Sequence, residues 1–115
     1  MKKSAVKKYY DDYITEQYKI GVNDRIFMLY ERLVSSGLSA ESDVIELGCG
    51  IGALTHLIRK KVTVGQIESV DISGESIEFA KKKIKNSNVQ FYESDITKYN
   101  PVIKNADFVT LFDVI

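Results

Sequence analysis

Apolar positions recur along this chain in two periods, and the change from one to the other marks its organisation. Between Val6 and Tyr18 the larger side chains fall at 6, 9, 10, 13 and 14. This is a helical spacing, and it sets Val6, Tyr10, Tyr13 and Ile14 near one face. Gly21 ends that segment, and Asn23 or Asp24 can cap a second helix before Ser35-Ser36-Gly37 closes it. In this second helix Ile26, Phe27, Leu29, Tyr30, Leu33 and Val34 form a broad apolar stripe, which predicts a packed helix.

Beyond a polar connection, short apolar runs alternate with amphipathic segments. Val44 to Leu47 reads as a buried strand, and Ala53 to Lys61 as a helix with Leu54, Leu57 and Ile58 facing inward. Gly65 precedes a second strand, Ile67 to Asp71, after which Ser73 caps a helix carrying Ile77, Ala80 and Ile84. Asn86-Ser87-Asn88 punctuates, Val89 to Tyr92 gives a third strand, and after the Tyr99-Asn100-Pro101 turn Phe108 to Ile115 gives a fourth. The connection between the last two strands is too weakly patterned to assign a helix to it. This alternation implies an α/β fold, a Rossmann-like parallel sheet with flanking helices. Residues 1–42 read as an N-terminal helical cap and residues 43–115 as a cofactor-binding half-domain.

The final run, "ADFVTLFDVI", is nearly continuous in apolar residues, as expected of a strand buried on both faces. As the last of four strands it would be an open edge, offering unpaired backbone groups and apolar faces. The expectation is therefore an incomplete domain, lacking the C-terminal strands of the full fold, that self-associates through the edge at 108–115.

Composition narrows the class without naming a function. Sixteen basic residues balance sixteen acidic ones. No net field would draw the chain onto nucleic acid or an anionic membrane, and neither is an expected partner. The single cysteine, Cys49, has no mate for a disulfide and no companion at metal-ligand spacing, so a reducing, cytoplasmic setting is expected and no metal site. The basic start is followed by Tyr and Asp rather than an apolar core, so no targeting segment is read.

The chemistry concentrates at "VIELGCGIG". Gly48, Gly50 and Gly52 stand at a strand-to-helix turn, where bare backbone can approach a ligand and a helix N-terminus aims its free N–H groups at the same place. Ligands of open α/β sheets bind outside the carboxyl ends of the strands. Three carboxylates pass that test: Glu46 near the end of strand one, Asp71 ending strand two, and Asp95 following strand three. All three are expected to face one crevice. Asp71 can accept both hydroxyls of a ribose. Gly48, Gly50 and Ala53 also satisfy the G-x-G-x-x-A fingerprint of NAD-binding folds, with Asp71 at a fitting distance, so the literal motif admits two cofactors. Charge separates them, because a pyrophosphate beside Glu46 would be repelled and an ammonium attracted. Asp95 adds an acceptor suited to an exocyclic amine. The sum describes a nucleoside bearing an amino-acid tail.

"VIELGCGIG", "VDIS", "FYESDIT" and "ADFVTLFDVI" together resemble, in order, the first four motifs of the class I S-adenosylmethionine-dependent methyltransferases, the small-molecule type in particular. The resemblance covers Val44 to the chain end. It implies that Glu46 and the loop Gly48, Cys49, Gly50 and Gly52 hold the methionine part of the cofactor and that Asp71 holds the ribose. Ile72 would pack on the adenine, Asp95 would accept from its amino group, and the Ile96 backbone would face the ring. Phe112 would line the reactive side. Many relatives continue with Glu-His after Asp-Val-Ile, where this sequence stops, and no catalytic residue is assigned.

Other features have plainer readings. Cys49 lacks an activating base and reads as a small turn residue rather than a nucleophile. His56 falls off the Leu54, Leu57, Ile58 face and is expected to be solvated. Lysines 81, 82, 83 and 85 complement the dipole at a helix end. Tyrosines 9, 10, 13 and 18 read as packing residues, although one could close over the cofactor. The function expected is methyl transfer to an unidentified, preferably small, acceptor. The rivals are an NAD-dependent oxidoreductase and a non-catalytic cofactor-binding fragment.

Overall fold

A computed structural model describes residues 22–111. The first predicted helix, the N-terminal tyrosines and Phe112 lie outside the described residues. Within that range the elements run α1 (Asp24–Ser35), β1 (Val44–Leu47), α2 (Ala53–Lys61), β2 (Ile67–Asp71), α3 (Gly74–Lys83), β3 (Val89–Glu93) and β4 (Phe108–Leu111). The four strands form one sheet in the order β3-β2-β1-β4, and every pairing is parallel. The class predicted from the alternation is the one observed.

Alternation along the strands sorts side chains between two unlike faces. On one face Val44, Ile67, Val89 and Phe91 join Leu54, Ile58, Ile77, Ala80 and Ile84 of the helical layer in the main core. On the other face Glu68 is 2% exposed. Its carboxylate accepts from Tyr99 Oη and from the backbone N–H groups of Val102 and Ile103, the latter at 2.8 Å. The β3-to-β4 connection is thereby fastened over β2 without any helix. Three donors around one carboxylate satisfy a group whose burial would otherwise cost several kcal/mol. At the opposite strand ends, Asp43 Oδ1 accepts from Gln66 N at 2.9 Å, and Asp107 Oδ2 accepts from Asp43 N at 2.8 Å. These clasps start β1, β2 and β4 level with one another.

This routing has a consequence for function. The β1-to-β2 and β2-to-β3 connections use α2 and α3 on one face, whereas the return to β4 crosses the other. The chain changes faces between β1 and β4, which is the topological switch point where open α/β sheets bind ligands.

Asn23 caps α1, its Oδ1 accepting from Ile26 N at 3.0 Å. The stripe on α1 is less deeply packed than its pattern predicts. Ile26, Tyr30 and Leu33 lie half-buried against the core, Val34 is 36% exposed, and no residue of the helix is fully buried. One side of the helix meets α2, and a stripe this broad exceeds what one neighbour can cover.

The last strand is the open edge, with an exposed apolar face, that the sequence leads one to expect of it. Only Thr110 is buried in β4, while Val109 and Leu111 are 60% and 56% exposed. As the edge strand, β4 has core on the face carrying Thr110, and the crossover that lies over β2 does not reach Val109 and Leu111. Burial on both faces is therefore not what the described residues provide.

Candidate functional site

The turn between β1 and α2 is built by backbone hydrogen bonds. Gly48 N and Cys49 N both donate to Val70 O, at 2.8 and 2.9 Å, which folds the loop back across the end of β2. Gly50 and Gly52 hold φ of +56° and +90°, in the left-handed region that L side chains avoid. Their roles differ. A Cβ on Gly52 would stand 3.1 Å from Ile84 Cδ1 and 3.2 Å from Ala80 Cβ, so this glycine lets α2 start against α3. A Cβ on Gly50 would meet nothing within 4 Å and would project into open space. No side chain caps α2, and its first turn carries no acid, so its positive end is uncompensated from within.

Beside this loop lies a cavity of about 340 Å³ whose lining includes Glu46, Gly48, Cys49, Gly50 and Asp71, with Asn23 and Ile26 entering from α1. Two of the three predicted carboxylates thus meet here. Asp71 is fixed by backbone donors on both oxygens, Gly50 N to Oδ2 and Ser73 N to Oδ1, each at 2.9 Å. Each oxygen keeps a second lone pair for a ligand. The side chain that ends β2 therefore also holds the glycine loop and the start of α3 in place.

Glu46 is in a different state. It is 4% exposed, and its Oε2 accepts from Thr55 Oγ1 and, at 3.4 Å, from Ser69 Oγ. Burial outweighs these bonds, and with repulsion from Asp71 it pushes the carboxyl up to about 7. A cation brought to the cavity would reverse that shift. Thr55 and Ser69 were not singled out in the sequence, because hydroxyl residues carry no periodic signal. The only hint is that Ser69 shares its strand face with Asp71.

Asp95 stands at the same end of the sheet but outside the lining of the cavity. Ser94 N donates to Asp71 O at 2.9 Å, so the exit of β3 is stitched to the end of β2. The Asp95 carboxylate turns to its own loop, with Oδ1 accepting from Thr97 N at 2.9 Å and Thr97 Oγ1 at 2.7 Å. These bonds hold it below its ordinary pKa. Ile72 is 69% exposed just beyond Asp71, and Ile96 is half-buried. Cys49 is buried, and its thiol is pushed upward by desolvation and by the charges of Glu46 and Asp71, the opposite of what a nucleophile needs.

His56 corrects the sequence reading. It is 2% exposed rather than solvated. The first six residues of α2 are all buried, since this helix is wedged between the sheet and α1 instead of lying on the surface. Arg59 Nη2 and His56 Nδ1 are 2.7 Å apart, and Nε2 has no partner among the described residues. Desolvation, with Lys60 and Arg59 nearby, lowers the imidazole to about 4 and keeps it neutral.

A doubly wound parallel sheet with a glycine loop and a strand-two carboxylate at its switch point defines a nucleotide-type cofactor fold. The family model described as "Methyltransferase domain" matches residues 38–115, and the chain belongs to that family. It is 34% identical over 107 residues to the malonyl-[acyl-carrier protein] O-methyltransferase of Priestia megaterium, covering 88% of this chain and 37% of that protein. Among solved structures, the methyltransferase domain of bacterial CtHen1-C superposes with a TM-score of 0.65 at 26% identity, covering 78% of this chain and 49% of that one. PKMT2 from Rickettsia typhi in complex with AdoHcy superposes with a TM-score of 0.55 at 27% identity, over 61% of this chain and 14% of that one. The chain spans about two fifths of the length of curated relatives that it matches over most of its own length. No helix among the described residues is long and apolar enough to cross a membrane.

Proposed function

We propose that this chain binds S-adenosylmethionine at the β1–β4 switch point and forms the cofactor half of an enzyme that transfers its methyl group. One observation carries the reading: two carboxyls in different states flank one crevice under a bare glycine loop. Asp71 is held rigid by Gly50 N and Ser73 N, and Glu46 is buried with its Oε1 free of the two hydroxyls that bind Oε2.

The residues present fit that ligand. The space a Gly50 Cβ would fill leaves the loop backbone open to an amino-acid tail. Glu46 supplies a partner for its ammonium, and the remaining lone pairs of Asp71 suit a ribose. Ile72 offers an exposed apolar surface to the adenine. Asp95 retains Oδ2 for the exocyclic amine, because both Thr97 bonds fall on Oδ1, and Ile96 stands beside it. Phe112, by the family resemblance, lines the reactive side. The bound cofactor supplies an activated methyl group on a sulfonium sulfur. The contribution of the chain is to orient that group and exclude water, effects worth up to about 7–11 kcal/mol in well-aligned systems.

The likeness to the Priestia megaterium enzyme supports a carboxylate acceptor, presented as a small acyl group on a carrier protein. A carboxylate is already nucleophilic at neutral pH and needs no general base. Residues 1–42 serve as a cap over the acceptor side, with Asn23 and Ile26 already lining the cavity.

Asp71→Ala tests the reading by isothermal titration with S-adenosylhomocysteine. Loss of a charged hydrogen-bond acceptor should weaken binding by about 1.5–3 kcal/mol. An unchanged affinity rejects the ribose assignment.

A further inference from the structure

The row of side chains crossing the sheet at Glu46 contains one group that the fold does not use. Ser69 on β2 is the register partner of Glu46 on one side, and Thr110 on β4 is its partner on the other. Thr55 approaches from α2 through its bond to Glu46. All four are buried, with Thr55 and Ser69 at 0%, Thr110 at 3% and Glu46 at 4% exposure. Thr55 and Ser69 are hydrogen-bonded to the carboxyl and, at 2.9 Å, to each other. Thr110 Oγ1 has no partner among the described residues.

A buried hydroxyl without a partner is destabilising, and valine would fill the same shape without that cost. Its position gives it a use. Thr110 lies across the β1–β4 seam, where the chain changes faces, next to the carboxyl that lines the cavity. Both existing hydroxyl bonds reach Oε2, so Oε1 is the acceptor still to be filled.

We propose that Thr110 is a positioning residue for the amino-acid tail of the cofactor. When an ammonium-bearing ligand occupies the crevice, the Thr110 hydroxyl donates to Oε1 of Glu46. This third donor aims the ionised carboxylate at the ammonium. The inference rests on the S-adenosylmethionine reading above and adds to it a residue on β4.

The test is titration of the wild-type chain, Thr110→Val and Thr110→Ser with S-adenosylhomocysteine, alongside thermal melts without ligand. Thr110→Val should bind about tenfold more weakly, the effect of removing a hydrogen bond to a charged group, while melting no lower than wild type. Thr110→Ser, which keeps the hydroxyl, should return affinity to within about threefold of wild type. The inference is overturned if Thr110→Val binds as wild type does, or if its affinity falls only together with its melting temperature or folding. It is also overturned if Thr110→Ser is as weak as the valine variant. A wild-type chain that binds no S-adenosylhomocysteine removes the cofactor reading and this inference with it, whereas tight wild-type binding with an indifferent valine variant removes this inference alone.

Discussion

Replacing Glu46 by glutamine should make the protein more stable and less able to bind. The carboxyl lies in the core with its pKa raised from 4.5 to about 7. A group with a raised folded-state pKa contributes its full stabilisation below the unfolded value and loses it as pH rises through the folded one. Wild type should therefore lose stability between about pH 4.5 and 7 from this source. At about 1.4 kcal/mol for each tenfold change in proton affinity, the loss comes to about 3 kcal/mol. Glu46→Gln cannot ionise, yet its amide oxygen can still accept from Thr55 and Ser69. Urea unfolding followed by circular dichroism should show the variant more stable than wild type by up to about 3 kcal/mol near pH 8, with the gap closing toward pH 5. Binding should move the other way. S-adenosylhomocysteine should bind wild type more weakly by about tenfold per pH unit below 7, because the proton on Glu46 must leave first, and should bind the variant weakly throughout. A variant less stable than wild type near pH 8, or a difference that ignores pH, refutes the reasoning.

Further predictions rest on neighbouring features. His56 has the opposite sign: with its pKa lowered to about 4 by burial and then by Lys60 and Arg59 nearby, it stabilises above the unfolded value near 6.5 and loses that contribution as pH falls toward 4. Acid unfolding of His56→Gln should begin at lower pH than that of wild type, and coincident acid transitions would contradict this. The exposed Val109 and Leu111 on an edge strand predict self-association. Sedimentation velocity should show concentration-dependent dimers in wild type and monomer in Val109→Lys/Leu111→Lys, and a wild-type monomer at all concentrations would reject the edge as an interface.

Much of the frame was legible in the sequence. β1, α2 and β2 begin and end at the residues predicted for them, because their apolar periods are clean and glycine or a capping residue brackets each one. The glycine loop was legible because three glycines at a strand-to-helix turn have few other uses. The connection between β3 and β4 was too weakly patterned to read. The open edge at β4, with Val109 and Leu111 exposed, was legible from an apolar run on the last of four strands.

Burial of polar groups was the harder part. His56 was misplaced because a helical wheel assumes one wet side, and α2 has none over its first turns. Glu68 read as one letter within a strand, and its role in tying down the crossover depends on residues more than thirty positions away. Ser69 and Thr110 meet Glu46 only through strand register, and Thr55 only through the packing of α2 on the sheet, neither of which a single stretch encodes. Family membership came from four motifs in order. What each carboxyl can do depends on its surroundings: Asp71 is held by backbone donors, Asp95 is turned to Thr97, and Glu46 is buried with a free oxygen.

The central claim is that the crevice beside Gly50 takes a sulfonium nucleoside with an amino-acid tail and not a dinucleotide. Isothermal titration of the wild-type chain with S-adenosylhomocysteine and, separately, with NADH tests it most directly. The account predicts saturable binding of S-adenosylhomocysteine at one site per chain and none of NADH. Tight binding of NADH with no heat from S-adenosylhomocysteine would contradict it.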